Sequence, residues 1–152
     1  MQKRQIFQEI TKTLYIKNIF TNNKNYNIYA KRWDVMKKIL VVDDEPDVRE
    51  TVKIILEQRG YEVITAVDGD DCLNKLHEEN PDLILLDIMM PGTPIGDIVE
   101  QIEDTKIAFM SVVRISEARK KGLCKQDNVV DFIQKPFDVI DLVRRVELIL
   151  NE

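Results

Sequence analysis

The segment Ile39-Leu40-Val41-Val42-Asp43-Asp44 decides the fold, because it places a short apolar run directly before two carboxylates. A second apolar run, Leu83-Ile84-Leu85-Leu86, ends at Asp87, and a third, Val129-Val130-Asp131-Phe132-Ile133, is soon followed by Lys135. Short apolar runs of this length are typical of buried strands. Three carboxylates and one lysine therefore lie at predicted strand ends, where the carboxylates would attract a cation. This combination favours aspartyl phosphate chemistry.

Apolar runs and amphipathic stretches alternate along the rest of the chain, which indicates βαβ units and a parallel sheet. The pattern predicts strands near 38–42, 61–65, 83–86, 107–110 and 129–133, and helices near 46–59, 69–79, 96–104, 115–122 and 138–150. Right-handed connections place the helices on both faces of such a sheet. We therefore expect an α/β, flavodoxin-like fold with an open parallel five-stranded sheet of order 2-1-3-4-5. In that order strands one and three are neighbours, and Asp43, Asp44 and Asp87 converge.

Charge divides the chain into two predicted regions. Residues 1–36 contain seven Lys or Arg and two acidic residues, a net charge of +5, so residues 37–152 carry −10 within a total of −5. We expect the basic N-terminal extension to be a disordered tail or sequence upstream of a true start at Met36. One alternative is a basic amphipathic helix that touches a membrane or a partner, with a stripe formed by Phe7, Ile10 and Leu14. The acidic domain at 37–152 argues against direct nucleic-acid binding.

Composition predicts a cytoplasmic protein with no membrane segment. No apolar stretch approaches the ~18 residues of a membrane span, and charged residues occupy the positions of a signal peptide's apolar run. Cys72 and Cys124 are far apart and form no C-x-x-C pair, so neither a metal site nor a disulfide framework is indicated. His77, the single histidine, is expected to be a solvated helix residue and not a phosphohistidine donor.

Three motifs together resemble the receiver domains of response regulators in two-component systems: Ile39–Pro46, Leu85–Gly92 and Phe132–Phe137. The resemblance covers residues 37–152 and implies a phosphoprotein that accepts a phosphoryl group from a sensor histidine kinase or a phosphotransfer protein. Because the chain ends at Glu152, we expect a stand-alone, chemotaxis-regulator-like receiver. It would signal by docking to a downstream protein target or by onward phosphorelay, and a homodimer on phosphorylation is also compatible. It would promote its own phosphorylation and dephosphorylation without being an enzyme for a small substrate.

The resemblance assigns the acidic residues to a magnesium-dependent phosphorylation site. Asp87 would be the phosphoacceptor, Asp44 would bind Mg²⁺ directly, Asp43 would bind it largely through water, and the backbone carbonyl of Met89 would supply a further ligand. Each residue taken alone has a simpler explanation. Asp44, for example, could stabilise the start of the first helix by ~0.3–1 kcal/mol. Their joint placement at strand ends favours the phosphorylation site.

The resemblance also assigns residues that would respond to the phosphoryl group. Lys135 and Ser111 would contact the phosphoryl oxygens. Phe132 would rotate inward as Ser111 moves toward the phosphate, so phosphorylation would shift an existing equilibrium. The output surface would be the fourth helix, the fifth strand and the last helix. Alone, Lys135 could belong to an ordinary turn and Ser111 could be a strand-end hydroxyl with a local partner.

The chain departs from the usual receiver pattern near the site. Thr93-Pro94-Ile95 replaces the common Met-Asp-Gly after the loop glycine, and the third helix must be short. Val112 follows Ser111 where a small residue is usual, and its branched side chain could crowd the phosphate pocket. Met89 and Val113 are apolar at positions where receivers with fast self-hydrolysis often carry polar residues. We therefore expect a long-lived phosphoaspartate, which Met89→Asn or Val113→Glu would shorten.

Two other functions remain open from the sequence. A pseudo-receiver would use the same fold as a docking module without phosphorylation, and Val112 agrees with it whereas Asp43, Asp44, Asp87 and Lys135 do not. A metal-dependent aspartyl phosphatase would have similar site chemistry. Those enzymes usually carry an Asp-x-Asp pair after the first strand, and this chain has none there.

Overall fold

The computed structural model describes residues 36–151 of the 152-residue chain. Met36–Glu152 form one compact unit. The expectations for the basic N-terminal extension, including its apolar stripe at Phe7, Ile10 and Leu14, lie outside the described residues.

Strands and helices alternate throughout the described residues, as predicted. The strands are β1 (Lys38–Val42), β2 (Glu62–Ala66), β3 (Leu83–Leu86), β4 (Lys106–Ser111) and β5 (Val129–Gln134). The helices are α1 (Pro46–Glu57), α2 (Gly69–Glu79), α3 (Ile95–Glu100), α4 (Ile115–Lys120) and α5 (Val139–Asn151). All neighbouring strands are parallel, and the order β2-β1-β3-β4-β5 confirms the predicted doubly wound sheet.

Helices cover both faces of the sheet because side chains alternate along each strand. Leu40 and Val42 of β1 belong to a core cluster with residues of α2, α3 and α4. Ile39 and Val41 belong to a second cluster with residues of α1 and α5. All four side chains are fully buried, so β1 is a central strand with a core on each side.

Three helices, α1, α3 and α4, are shorter than the sequence pattern predicts, and for α3 and α4 the last turns explain the difference. After α3 the N–H groups of Gln101 and Ile102 donate to carbonyls three residues back, which tightens the chain into a turn. That turn buries Ile102 completely. After α4 the chain reverses at Gly122, whose φ of +75° is strained for any residue with a side chain. The expectation of a short third helix is confirmed.

Strand register brings the two acidic motifs to one edge of the sheet. Val42 of β1 is paired with Leu86 of β3, so Asp43 and Asp87 both follow a paired residue at the carboxyl ends of adjacent strands. On the other side of β3, Ser111 ends β4 opposite Gln134 of β5, directly before Lys135. The sheet therefore delivers every predicted site motif to its carboxyl edge, where open α/β sheets bind ligands.

Candidate functional site

The three predicted carboxylates form one cluster. Oxygen atoms of Asp43, Asp44 and Asp87 all lie within 4.8 Å of one another. Asp43 is completely buried and Asp87 is 3% exposed, whereas Asp44 is exposed to solvent. Like charges at this spacing repel one another, so the cluster requires positive charge or backbone N–H groups to stabilise it.

Backbone and side-chain donors stabilise Asp43 from the start of α1. Its Oδ1 accepts a hydrogen bond from the Glu45 N–H at 2.9 Å, and its carbonyl accepts one from Arg49 Nη1 at 2.7 Å. Glu45 is the N-cap of α1, and Pro46 occupies the first turn, where its missing N–H costs nothing. The N-cap side chain of Glu45 makes no capping bond. Asp43 thus satisfies a donor at the helix entrance while its second oxygen, Oδ2, is held in the site.

Lys135 supplies the positive charge of the cluster. Its Nζ lies 2.5 Å from Asp43 Oδ2 and 3.3 Å from Asp87 Oδ2, and its side chain is only 10% exposed. Burial alone would lower the pKa of the Lys135 ammonium, but the hydrogen bond to Asp43 and the charges of Asp87 and Asp43 outweigh that effect and raise the pKa. Lys135 therefore stays protonated and bridges the ends of β1, β3 and β5.

Asp87 is oriented from two sides. The N–H of Met89 donates to Asp87 Oδ1 at 3.0 Å, while Lys135 contacts Oδ2. The loop after β3 thus follows the carboxylate closely and places the backbone of Met89 beside Asp87. The side chain of Met89 is 55% exposed. A buried carboxylate held at both oxygens, beside a solvent-facing loop, is positioned to act as a nucleophile.

Ser111 lies at the buried end of β4. The residue is completely buried, and its Oγ accepts a hydrogen bond from the Val113 N–H at 3.3 Å. Its carbonyl accepts the Lys135 N–H at 2.8 Å, which joins the ends of β4 and β5. Both residues that would contact a phosphoryl group are therefore connected through the backbone.

Val112 and Val113 lie in different environments, and that of Val113 changes one of the sequence-based expectations. Val112 is 62% exposed, so it stands at the surface of the loop. Val113 is 8% exposed and belongs to the core cluster that contains Phe109 and Ala118. Val113→Glu would bury a carboxylate and destabilise the fold, so this variant cannot report on self-hydrolysis.

Phe132 occupies an intermediate position between the core and the surface. Its ring is half-buried against the cluster on the α4 side, and its centroid lies 6.2 Å from that of Phe109 at an interplanar angle of 57°. This tilted arrangement is favourable for aromatic pairs. His77 is exposed on α2, as expected.

Two further residues of the site were missed by sequence reasoning. Arg49 holds the carbonyl of Asp43, and the only sequence signal was its position one helical turn after Glu45. Gln134 directly precedes Lys135, and its side-chain amide contacts the carbonyls of Ser111 and Val112. Neither contact could be read from the sequence, because it depends on the direction of a long side chain at a strand or helix end.

The donor set of the cluster suits Mg²⁺. Three carboxylates face one ammonium, which leaves a net charge of −2 that a divalent cation would neutralise. Mg²⁺ prefers oxygen ligands and is commonly held by one or two carboxylates together with phosphate oxygens. The exposed Asp44 leaves one side of the cluster open to solvent, so an ion and a phosphoryl group could enter there.

Comparisons with known sequences show the family to which this chain is similar. A family model described as a response regulator receiver domain matches residues 39–147. The chain is 38% identical over 117 residues to the alkaline phosphatase synthesis transcriptional regulatory protein PhoP of Bacillus subtilis, covering 76% of this chain and 49% of that protein. It is 35% identical over 121 residues to the phosphate regulon transcriptional regulatory protein PhoB of Escherichia coli, covering 76% and 52%. The chain thus spans about half the length of these relatives.

Solved structures with the same fold include several at more than a quarter sequence identity. The response regulator TrrA of Thermotoga maritima, in complex with Mg²⁺ and BeF, matches with a TM-score of 0.66 and 35% identity, covering 76% of this chain and 100% of that one. The Vibrio cholerae chemotaxis protein CheY4 matches with a TM-score of 0.68 and 29% identity, with the same coverage of 76% and 100%.

Proposed function

Because this chain belongs to the response regulator receiver domain family, we propose that Asp87 accepts a phosphoryl group from a sensor histidine kinase or a phosphotransfer protein. The observation that carries the proposal is the convergence of Asp43, Asp44, Asp87 and Lys135 at one edge of the sheet. Phosphoryl transfer depends mainly on positioning and on neutralising charge, and this cluster offers both.

The chemistry assigned to Asp87 is an in-line substitution at phosphorus. One carboxylate oxygen forms the new O–P bond while the N–P bond to the donor imidazole breaks, and the departing imidazole nitrogen keeps the bonding electrons and takes up a proton. The Met89 N–H and Lys135 hold the carboxylate in a fixed direction during this step. After the transfer the negative charge lies on the phosphoryl oxygens, and the Lys135 ammonium can contact them in place of the carboxylate.

Mg²⁺ is the proposed cofactor, held by Asp43, Asp44, Asp87 and the Met89 carbonyl, and when bound it would neutralise charge on the transferring phosphoryl group. The structure of TrrA, a relative, was solved in complex with Mg²⁺ and BeF. As the receiver resemblance implies, we expect Asp43 to act largely through water and Asp44 to bind directly. In this chain both Asp43 oxygens already accept hydrogen bonds, from the Glu45 N–H and from Lys135 Nζ, whereas Asp44 is exposed.

The signal would pass through a shift between two arrangements of Ser111 and Phe132. Movement of the Ser111 hydroxyl toward the phosphoryl group would change its hydrogen bond from the Val113 N–H, and the half-buried Phe132 would turn further inward. We propose that the changed surface of α4, β5 and α5 docks a downstream protein, passes phosphate onward or forms a homodimer. The role is that of a phosphoacceptor and not of an enzyme with a small substrate.

The setting and size of the whole protein are also proposals. Residues 36–151 contain no helix that is long and apolar enough to span a membrane, and we propose that the receiver works in the cytoplasm. The relatives PhoP and PhoB are named as transcriptional regulatory proteins, and the match covers about half of each of them. The stand-alone receiver therefore stays a prediction, which the mass of the native protein isolated from cells would test. The acidic receiver itself is not expected to contact nucleic acid.

Intact-mass spectrometry after incubation with Mg²⁺ and acetyl phosphate tests the phosphoacceptor. We expect one Mg²⁺-dependent phosphoryl adduct in the wild type and none in Asp87→Asn. Asp97→Asn, an exposed aspartate on α3, is the matched control and should accept phosphate as the wild type does. If neither acetyl phosphate nor phosphoramidate gives an adduct, the result favours a pseudo-receiver or a donor requirement that only its own kinase meets. Steady release of phosphate from a small phosphoester would indicate the aspartyl phosphatase instead.

A further inference from the structure

Gln134 makes contacts that the chemistry proposed for Asp87 does not use. It is the last residue of β5, and its side chain is exposed. Its Nε2 lies 2.9 Å from the carbonyl oxygen of Val112, 3.2 Å from that of Ser111 and 3.3 Å from that of Lys135. An amide nitrogen carries two hydrogens, so three acceptors share two donors, and Val112 has the shortest contact. The side chain ties the end of β5 to the segment that leaves β4.

These contacts of Gln134 begin where the backbone hydrogen bonds between β4 and β5 end. Ser111 is paired with Gln134, and its carbonyl accepts the N–H of Lys135. Beyond that point the chain leaves the sheet through Val112 and Val113 before α4 begins at Ile115. The contact to the Val112 carbonyl therefore continues the attachment to β5 one residue past the ladder.

The segment after β4, Val112 and Val113, also contacts the hydroxyl of Ser111. The N–H of Val113 donates to Ser111 Oγ at 3.3 Å, and Ser111 is completely buried. The direction of that hydroxyl depends on where the backbone of Val112 and Val113 lies, and Gln134 anchors this backbone. Gln134 thus contacts the carbonyls of Ser111 and Lys135 directly, and it acts on the Ser111 hydroxyl through the backbone of Val112 and Val113.

We propose that Gln134 is a positioning residue, whose side-chain amide holds Ser111 and Lys135 at the separation that phosphoryl transfer to Asp87 requires. The inference rests on the function proposed for Asp87. Groups that are held in place before the reaction need no reorganisation during it, and small displacements of such groups slow the reaction strongly. Gln134 contacts none of the three carboxylates through its side chain, so it should leave the affinity for Mg²⁺ unchanged.

Two variants separate the donor function of Gln134 from its bulk. Gln134→Leu removes the donors at similar length, and Gln134→Glu keeps the shape but turns an acceptor toward three carbonyls. Gln58→Leu is the matched control, because Gln58 is an exposed glutamine at the C-terminal end of α1. Each protein is compared in the unphosphorylated form by amide hydrogen exchange, and then by the rate of adduct formation with Mg²⁺ and acetyl phosphate.

We expect both Gln134 variants to speed hydrogen exchange at the Val113 amide by about tenfold, with unchanged exchange in β1. Adduct formation should slow by about three- to tenfold, while the Mg²⁺ concentration that gives half the maximal rate stays the same. Gln58→Leu should change neither quantity. In a Ser111→Ala background, Gln134→Leu should slow adduct formation by less than about twofold, since two residues that act through one group are not additive.

Three results would overturn the role of Gln134. The first is unchanged exchange at the Val113 amide in both Gln134 variants while phosphorylation is intact. The second is an equal slowing of adduct formation by Gln134→Leu with and without Ser111. The third is a wild type that takes up no phosphoryl group. That result would refute the function of Asp87 and with it the transfer role of Gln134, and the exchange data would still show whether Gln134 holds the segment after β4.

Discussion

Lys135 should stabilise the metal-free protein far more than a surface lysine does. Its ammonium lies between Asp43 and Asp87, and the side-chain exposures are 10%, 0% and 5% in that order. Replacing Lys135 with methionine keeps an apolar side chain of similar length but leaves two buried carboxylates without their cation. The exposed Asp44 adds a third negative charge to the same cluster.

The expected loss follows from this burial. Breaking a buried ion pair by removing one partner costs about 3–5 kcal/mol, whereas exposed pairs contribute about 0–1 kcal/mol. We therefore expect Lys135→Met to lower the free energy of unfolding by about 3–5 kcal/mol at neutral pH without Mg²⁺. Added Mg²⁺ should restore more stability to the variant than to the wild type, because it would bind carboxylates that no ammonium neutralises.

Urea unfolding followed by circular dichroism, with and without Mg²⁺, measures both effects. Lys37→Met is the matched control, since Lys37 pairs with Asp82 at 2.9 Å with side chains 46% and 30% exposed. It should cost at most about 1 kcal/mol and show no added response to Mg²⁺. Equal losses in Lys135→Met and Lys37→Met, or a variant that Mg²⁺ does not rescue, would refute the reasoning.

Three further predictions concern pH, packing and phosphoryl lifetime. Burial would raise the pKa of Asp82, but hydrogen bonds from the start of β1 outweigh it and lower the pKa, so Asp82 stabilises the fold above its unfolded pKa and loses this effect as pH falls. Asp82→Asn should therefore cost up to about 1 kcal/mol in urea unfolding at pH 7, and less as the pH falls below about 4. A Cβ on Gly69 would lie 2.7 Å from Cγ1 of the buried Ile98, whereas one on Gly96 would meet nothing closer than 3.9 Å. Gly69→Ala should cost about 1–3 kcal/mol in the same assay, and Gly96→Ala should be neutral or stabilising by up to about 1 kcal/mol. Met89→Asn should speed decay of the phosphoryl adduct in intact-mass time courses, because an exposed amide beside the acceptor can orient water.

Each of these predictions has a clear contrary result. A pH-independent cost of Asp82→Asn would show that its charge does not stabilise the fold. Equal stability of Gly69→Ala and Gly96→Ala would show that α3 yields easily to a methyl group. An adduct that already decays quickly in the wild type, or one that Met89→Asn leaves unchanged, would contradict the expected long lifetime.

The sequence predicted the order of strands and helices because the local patterns agree with the fold. Fully apolar four-residue runs are typical of central parallel strands, which are buried on both faces, and Gly60 follows α1 near the predicted end with a φ of +90°. Helix ends were less predictable. The chain leaves α3 early to bury Ile102, and this outcome depends on core volume that no local pattern records.

The site shows the same division between local and long-range information. Residue type and strand-end position identified Asp43, Asp44, Asp87 and Lys135, because parallel strands bring their carboxyl ends to one edge. Their roles in phosphorylation stay predictions.

What only the tertiary structure decided is how these groups contact one another. It showed Lys135 held between two buried carboxylates, Val113 in the core and Gln134 tied to the loop after β4. Such contacts depend on the directions of long side chains and on distances across strands far apart in sequence. The physical reason is that the charge and apolarity of each residue can be seen in the sequence itself. Burial and hydrogen-bond geometry exist only after the strands have paired.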